Sequence, residues 1–215
     1  MYNNLIWFEL TAFLLSLVAL PVLWKSSYLR VYPVLLLIVT GVEGFYYLFP
    51  EKTSGNARVY NIQIPLQYTC YLLILYYAAD NKQLKHFIAG MLWLLAVFCI
   101  LTTILFMKPG DLNVWSYSLC SVLTLIATIG KFYEMLKNPA GLDFLQNPFF
   151  YMLFAFLLFN LITLPYFSMG KWLYYTKGFR NVSMMLYYVS YLLNYLLYIV
   201  YTICFVWILR RKGIY

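Results

Sequence analysis

Glu43 is the residue best placed to do chemistry. It sits in an apolar run, PVLLLIVTGVEGFYYLFP at positions 33–50, that is long enough to cross a bilayer. A carboxylate in the middle of such a run costs ~3 kcal/mol or more and faces a protein interior or a wet cavity. Other apolar runs carry a small set of amides: Gln63 and Gln67, four apart on one helical face, then Asn160 and Asn194. Tyr187, Tyr191, Asn194, Tyr198 and Tyr201 succeed one another at steps of four, three, four and three, which is one helical seam.

These residue types suit recognition. Glu43 would supply charge, the amides donors and acceptors, and the tyrosines ring faces and hydroxyls. The expected ligand-binding set is Glu43, Gln63, Gln67, Asn160, Tyr191, Asn194 and Tyr198, taking a small polar or cationic ligand. Asn61 joins Gln63 at the entrance, and Glu9, close to the interface, is a lesser candidate. Glu43 could instead take up a proton. The competing reading is structural. Amides in membrane helices join neighbouring helices at ~0.6 kcal/mol each, and tyrosine seams pack. Gly41 and Gly44 would let helices approach, so that Glu43 pairs with Gln67 or a tyrosine hydroxyl. Lys131 and Glu134, three apart, read as a snorkelling surface pair.

The elements that must hold these residues are apolar helices. The chain has 215 residues, of which 64% are hydrophobic and 10% charged. A soluble domain averages about 25% charged, so this composition excludes a soluble enzyme fold and disorder. The expectation is all-α: a single polytopic transmembrane domain over 1–215, a bundle of seven helices at 5–24, 33–49, 59–79, 87–107, 114–136, 148–169 and 182–209. No basic residue precedes the first run and no small-residue cleavage site follows it, so the first segment is expected to be retained.

The net charge of +8 does not point to nucleic acid, because no run of five basic residues exists. Counting Lys and Arg by connection gives nine on one side and six on the other, favouring a multi-pass cell-membrane protein with its N-terminus outside and its C-terminus cytoplasmic. On that orientation the buried amides and acids gather in the outer half, and the inner half is almost entirely apolar. Cys70, Cys99, Cys120 and Cys204 are isolated within apolar runs, with neither a zinc pattern nor a redox pair. No metal site and no cofactor is expected.

An internal repeat is legible. Pro33 and Pro50 bracket the second segment with the same spacing as Pro148 and Pro165 bracket the sixth. Gln67-Tyr68 followed by Tyr71 matches Asn194-Tyr195 followed by Tyr198, and Lys25 matches Lys131. The order is three helices, one linker and three helices, a parallel repeat. Pro50 and Pro165 then become candidate hinges. This layout resembles the PQ-loop and small sugar-transporter group across the whole chain, in topology alone. The Pro-Gln dipeptide of that group is absent, since Leu66 separates Pro65 from Gln67. The chain also resembles uncharacterised seven-helix membrane proteins of bacteria.

Several chemistries lack their residues. The last segment has no lysine for retinal, the sole His86 sits in a connection, and HExxH and phosphate-binding glycine loops are missing. Asp80, Asp111 and Asp143 all lie in connections. The expected function is therefore binding, with transport, of a small polar solute from an outward-facing pocket in the bilayer, and not catalysis. The alternative is a seven-helix sensor or accessory subunit. Its tail, 210–215, leaves no room for a signalling domain, so it would act through a membrane protein partner.

Overall fold

The computed structural model describes residues 4–49, 57–106, 112–137, 145–176 and 178–211. Within them the chain is helical from end to end: α1 Leu5–Val18, α2 Leu20–Leu23, a 3-10 turn Leu29–Val31, α3 Tyr32–Leu48, α4 Ala57–Ala78, α5 Lys82–Phe106, α6 Val114–Lys137, α7 Pro148–Tyr175 and α8 Arg180–Arg210. Each expected segment is a helix. The first is broken, however, at Ala19, which caps α1 and opens α2. Pro21, in the first turn of α2, lacks an N–H and cannot continue the ladder of α1.

Five helical stretches are long and apolar enough to cross a membrane: Leu29–Leu48, Lys82–Ile104, Val114–Lys137, Pro148–Gly170 and Arg180–Arg210. α1 is apolar but short. α4 has the length and falls below the others in apolarity because Asn61, Gln63, Gln67 and Pro65 lie in its first half. Its position explains the composition. α4 packs on α3, α5 and α6, and its Tyr68, Tyr71, Leu72, Ile74 and Leu75 are buried, so it needs less lipid-facing surface than the rest.

Packing pairs run α1 on α3, α3 on α4, α4 on α6, α6 on α7, α7 on α8 and α8 on α1. They close a ring. α5 packs on α4 and α6 from outside it and turns Trp93, Leu94, Val97, Ile100 and Ile104 outward. Gly130 admits this helix: a methyl there would meet Leu84 Cδ1 at 3.0 Å. The interior is a continuous apolar core in which Tyr32, Phe156, Tyr201 and Phe205 are the largest fully buried side chains.

Cross-helix contacts define two ends. Trp7 meets Tyr47, and the Asn113 amide donates to Asn61 Oδ1 at 2.7 Å, so the starts of α1, α4 and α6 share an end with the finish of α3. We term this the N-face. At the opposite end, the C-face, the Arg30 guanidinium lies over Tyr77 at 5.4 Å and Arg211 donates to the Gln146 carbonyl at 2.9 Å. α7 and α8, with 28 and 31 residues, are the longest helices. At 1.5 Å per residue they reach roughly 42 and 46 Å. Their hairpin carries Trp172, Tyr174, Tyr175 and Arg180, a mixture suited to the headgroup layer.

Candidate functional site

Glu9 reaches the core through a stripe on α1. Glu9, Ala12, Ser16, Ala19 and Leu23 recur at helical spacing and all are buried. The small residues let α3 and α8 come close, and the acid is carried in with them. Glu9 is 1% exposed. The Tyr198 hydroxyl on α8 and the Glu43 carboxyl on α3 both lie close enough to act on it electrostatically. Its second oxygen, Oε2, is buried and accepts no hydrogen bond.

Glu43 is half-buried one helix away. Tyr60 of α4 donates to its Oε1 at 3.0 Å, and Tyr46 stacks on Tyr60 with centroids 5.7 Å apart. The pairing was expected from Gln67 or a tyrosine; the tyrosine is the one the sequence does not single out. Gly41 and Gly44 do not draw helices together around it. A methyl on Gly41 would meet nothing within 4 Å, and one on Gly44 only Ile6 at 3.9 Å. Thr40, three residues before Glu43, and Gln63, three after Tyr60, each hold a buried side-chain oxygen with no hydrogen-bond partner.

Four helices thus bring two carboxylates, two phenols and two neutral unsatisfied oxygens, those of Thr40 and Gln63, into the N-face half of the bundle. Among the described residues the ion pairs are those of Lys131 with Asp80 and Glu134, so neither Glu9 nor Glu43 has a basic side chain opposite it. Buried acids without a counter-charge hold a proton or receive a cation. No group of three or more His, Cys, Asp or Glu gathers among the described residues, so two carboxylates and neutral oxygens form the donor set.

Asn160 belongs elsewhere. It is 0% exposed, between α4, α6 and α7. Its Oδ1 accepts from Tyr68 at 2.7 Å and from Ser121 at 3.1 Å, and its Nδ2 donates to the Phe156 carbonyl at 3.0 Å. Gln67 joins neither group: it lies near Tyr71, one turn further along α4. Tyr191 shares a 2.7 Å hydrogen bond with Tyr195, whose ring meets Phe8 edge-on at 5.2 Å. Asn194 is half-buried on the same helix. Pro165 lies inside α7, which runs unbroken past it; Pro50 lies outside the described residues.

Lys131 departs from expectation. It does not snorkel: it is 5% exposed and pairs with Glu134 at 2.6 Å and Asp80 at 3.5 Å. Glu134 also accepts from the backbone amides of Asp80 and Asn81, which precede α5. The trio closes the C-face where α4, α5 and α6 meet.

Sequence reasoning underweighted Glu9 and passed over Tyr60. The signal for Glu9 was present in the small-residue stripe Ala12, Ser16, Ala19 in phase with it; nothing local marks Tyr60, which meets Glu43 only through the packing of α3 on α4. The chain matches no protein-family model, no curated protein and no solved structure.

Proposed function

We propose that this chain is a seven-span membrane carrier that binds a small cationic or polar solute between Glu9 and Glu43. The observation that carries the reading is the Glu9 Oε2 atom, buried beside a second carboxylate and reached by no donor. An anionic oxygen in that state is expensive unless a proton or a ligand cation completes it. The hydroxyls of Tyr60 and Tyr198 would hold the carboxylates open toward that ligand. Thr40 and Gln63 would contribute neutral oxygens.

The packing also supports a repeat. Let α1 stand for α6, α3 for α7 and α4 for α8. The pair α1–α3 then maps onto α6–α7, α3–α4 onto α7–α8, and α1–α8 onto α6–α4. α5, the linker, has no counterpart and lies outside the ring. A pseudo-two-fold of this kind lets one triplet rock on the other around a fixed site, which is alternating access. Pro165 would ease such a motion, because the Leu161 carbonyl one turn before it receives no amide. The basic residues favour the N-face outside.

Methylammonium, a small cation with donors for carboxylates, is the test solute. In liposomes carrying the purified protein, Glu43→Gln and Glu9→Gln are each expected to lower methylammonium uptake about tenfold or more. Dicyclohexylcarbodiimide, which labels protonated carboxyls in apolar surroundings, should modify Glu9 or Glu43, and methylammonium should protect them. Wild-type uptake by both variants, together with absent labelling, would end the reading.

A further inference from the structure

The centre of the bundle changes character halfway down. In the closed circle of helices α3 stands opposite α7, and α4 opposite α8. In the C-face half their inward side chains touch. Tyr71 of α4 stacks on Phe156 of α7 with centroids 3.7 Å apart. Tyr201 of α8 donates to the Tyr71 hydroxyl at 3.3 Å, and Tyr32 of α3 meets Tyr201 edge-on at 5.4 Å. All four side chains are buried, and together they plug the axis of the bundle.

Toward the N-face the same helical phases are no longer covered. On α8, Tyr187 and Asn194 precede Tyr201 and Ile208 at steps of seven, and Tyr191 precedes Tyr198 and Phe205. The first three are partly exposed and the other four are buried. On α4, Tyr60 and Gln67 are partly exposed and Ile74, in the same phase, is buried. On α3 the contrast is Glu43 against Leu36, and on α7 it is Phe167 against Asn160 and Leu153. Exposure at the end of a bundle is ordinary, but these positions go deep. Gln67 lies roughly 15 Å from the start of α4 and Asn194 roughly 21 Å from the start of α8. Nor do they face lipid, which α8 meets with Tyr188, Leu192, Ile199 and Ile203. The pattern is that of a central crevice, open at the N-face and floored by the plug. Glu43 stands in its wall. Glu9 follows Phe8, whose ring meets Tyr195, so the second acid lies just above the floor.

The rest of the wall is aromatic. Tyr166 of α7 and Tyr187 of α8 approach at 5.9 Å, and Tyr187 stacks on Tyr191 at 6.4 Å. Gly170 gives Tyr166 its place, since a methyl there would meet the Tyr166 ring at 3.3 Å. Across the crevice Tyr60 stacks on Tyr46 at 5.7 Å beside Glu43. Arg58, two residues before Tyr60, leaves α4 on the opposite side, so the charge inside is acidic. A bare ammonium ion needs an acceptor for each N–H. Ring faces instead attract the diffuse positive charge of N-alkyl groups, which have no N–H to satisfy. We propose that the crevice binds an N-alkylated ammonium ion, with Glu43 and Glu9 opposing its charge and the rings of Tyr60, Tyr166, Tyr187 and Tyr191 taking its alkyl groups. The proposal rests on the carboxylate pair being the binding site and narrows its solute: methylammonium is the least alkylated member of the class and tetramethylammonium the fully alkylated one.

The test uses the full chain in liposomes and reads carbodiimide labelling of Glu9 and Glu43 under increasing methylammonium or tetramethylammonium. Tetramethylammonium should halve the labelling at a concentration about tenfold or more below that of methylammonium. Tyr166→Leu and Tyr187→Leu remove ring faces from helices that carry neither acid. Each should bring the two concentrations together, by raising that of tetramethylammonium. Tyr166→Phe and Tyr187→Phe keep the rings and should preserve the preference to within about twofold. Labelling at the wild-type level without any added cation shows that a variant is folded. Tyr133→Leu, on the exposed face of α6, should change nothing. Equal or better protection by methylammonium, protection by neither ion, or a preference that survives in both folded Leu variants overturns the inference while the labelled acids remain. Absent labelling in the wild type removes the carboxylate site and the inference with it.

Discussion

Both halves of the ring bury polar side chains between helices, and they finish them differently. Asn160 itself is paired at both ends: two hydroxyls donate to Oδ1, and Nδ2 donates to the Phe156 carbonyl, while Tyr117 beside Tyr68 keeps the one hydroxyl there without a partner among the described residues. Around Glu9 and Glu43 the bonds stop short, with Glu9 Oε2, Thr40 Oγ1 and Gln63 Oε1 left over. A closed neutral network rigidifies and needs nothing further. An open acidic one stores unfavourable free energy that a proton or cation can release. The first is how a membrane protein joins its helices; the second is how it would hold a ligand. The C-face offers a third case, in which the acid Glu134 is matched by the buried Lys131.

The largest stability effect should come from unmatching that third case. Lys131→Met leaves Glu134 and Asp80 without their cation where α4, α5 and α6 meet, and should cost about 2–3 kcal/mol. Glu9→Gln, which removes a charge already without a partner, should leave stability unchanged or raise it. Unfolding in mixed micelles measures both, and a comparable loss in the two would break the contrast. Next, Asn160→Ala strands the hydroxyls of Tyr68 and Ser121 and should cost about 1–2 kcal/mol in the same assay. If it costs nothing, the closed network is not holding α4, α6 and α7 together. The smallest effect belongs to Pro165→Ala. It restores an amide to the Leu161 carbonyl, so stability should rise by up to ~1 kcal/mol while methylammonium uptake slows. Unaltered uptake would remove Pro165 as a hinge.

Much of the fold was legible. Among the described residues, apolar length and proline punctuation mark the helical segments, and the break at Ala19 follows from Pro21. Glu43 stands out in the sequence because the cost of a carboxylate in an apolar segment does not depend on neighbours. By depth alone Glu9 ranks low, because it stands four residues from the start of its helix. Its burial follows from α8, which extends well past that level and covers it; Phe8 already meets Tyr195, 15 residues into α8. In the sequence the seam from Tyr187 to Tyr201 reads as one surface. In the fold its members divide, Tyr191 turning to Tyr195 while Tyr198 and Tyr201 enter the core.

The sequence by itself therefore determined that this chain is a set of apolar helices with a carboxylate at a costly depth, because length, hydropathy and proline act locally along one strand of chain. Only the tertiary structure decided which polar atoms meet. Glu9 with Glu43, Tyr60 with Glu43, Asn160 with Tyr68 and Lys131 with Asp80 are all contacts between different helices. Such pairings depend on how the helices rotate and slide against one another, which is set by packing across the whole ring.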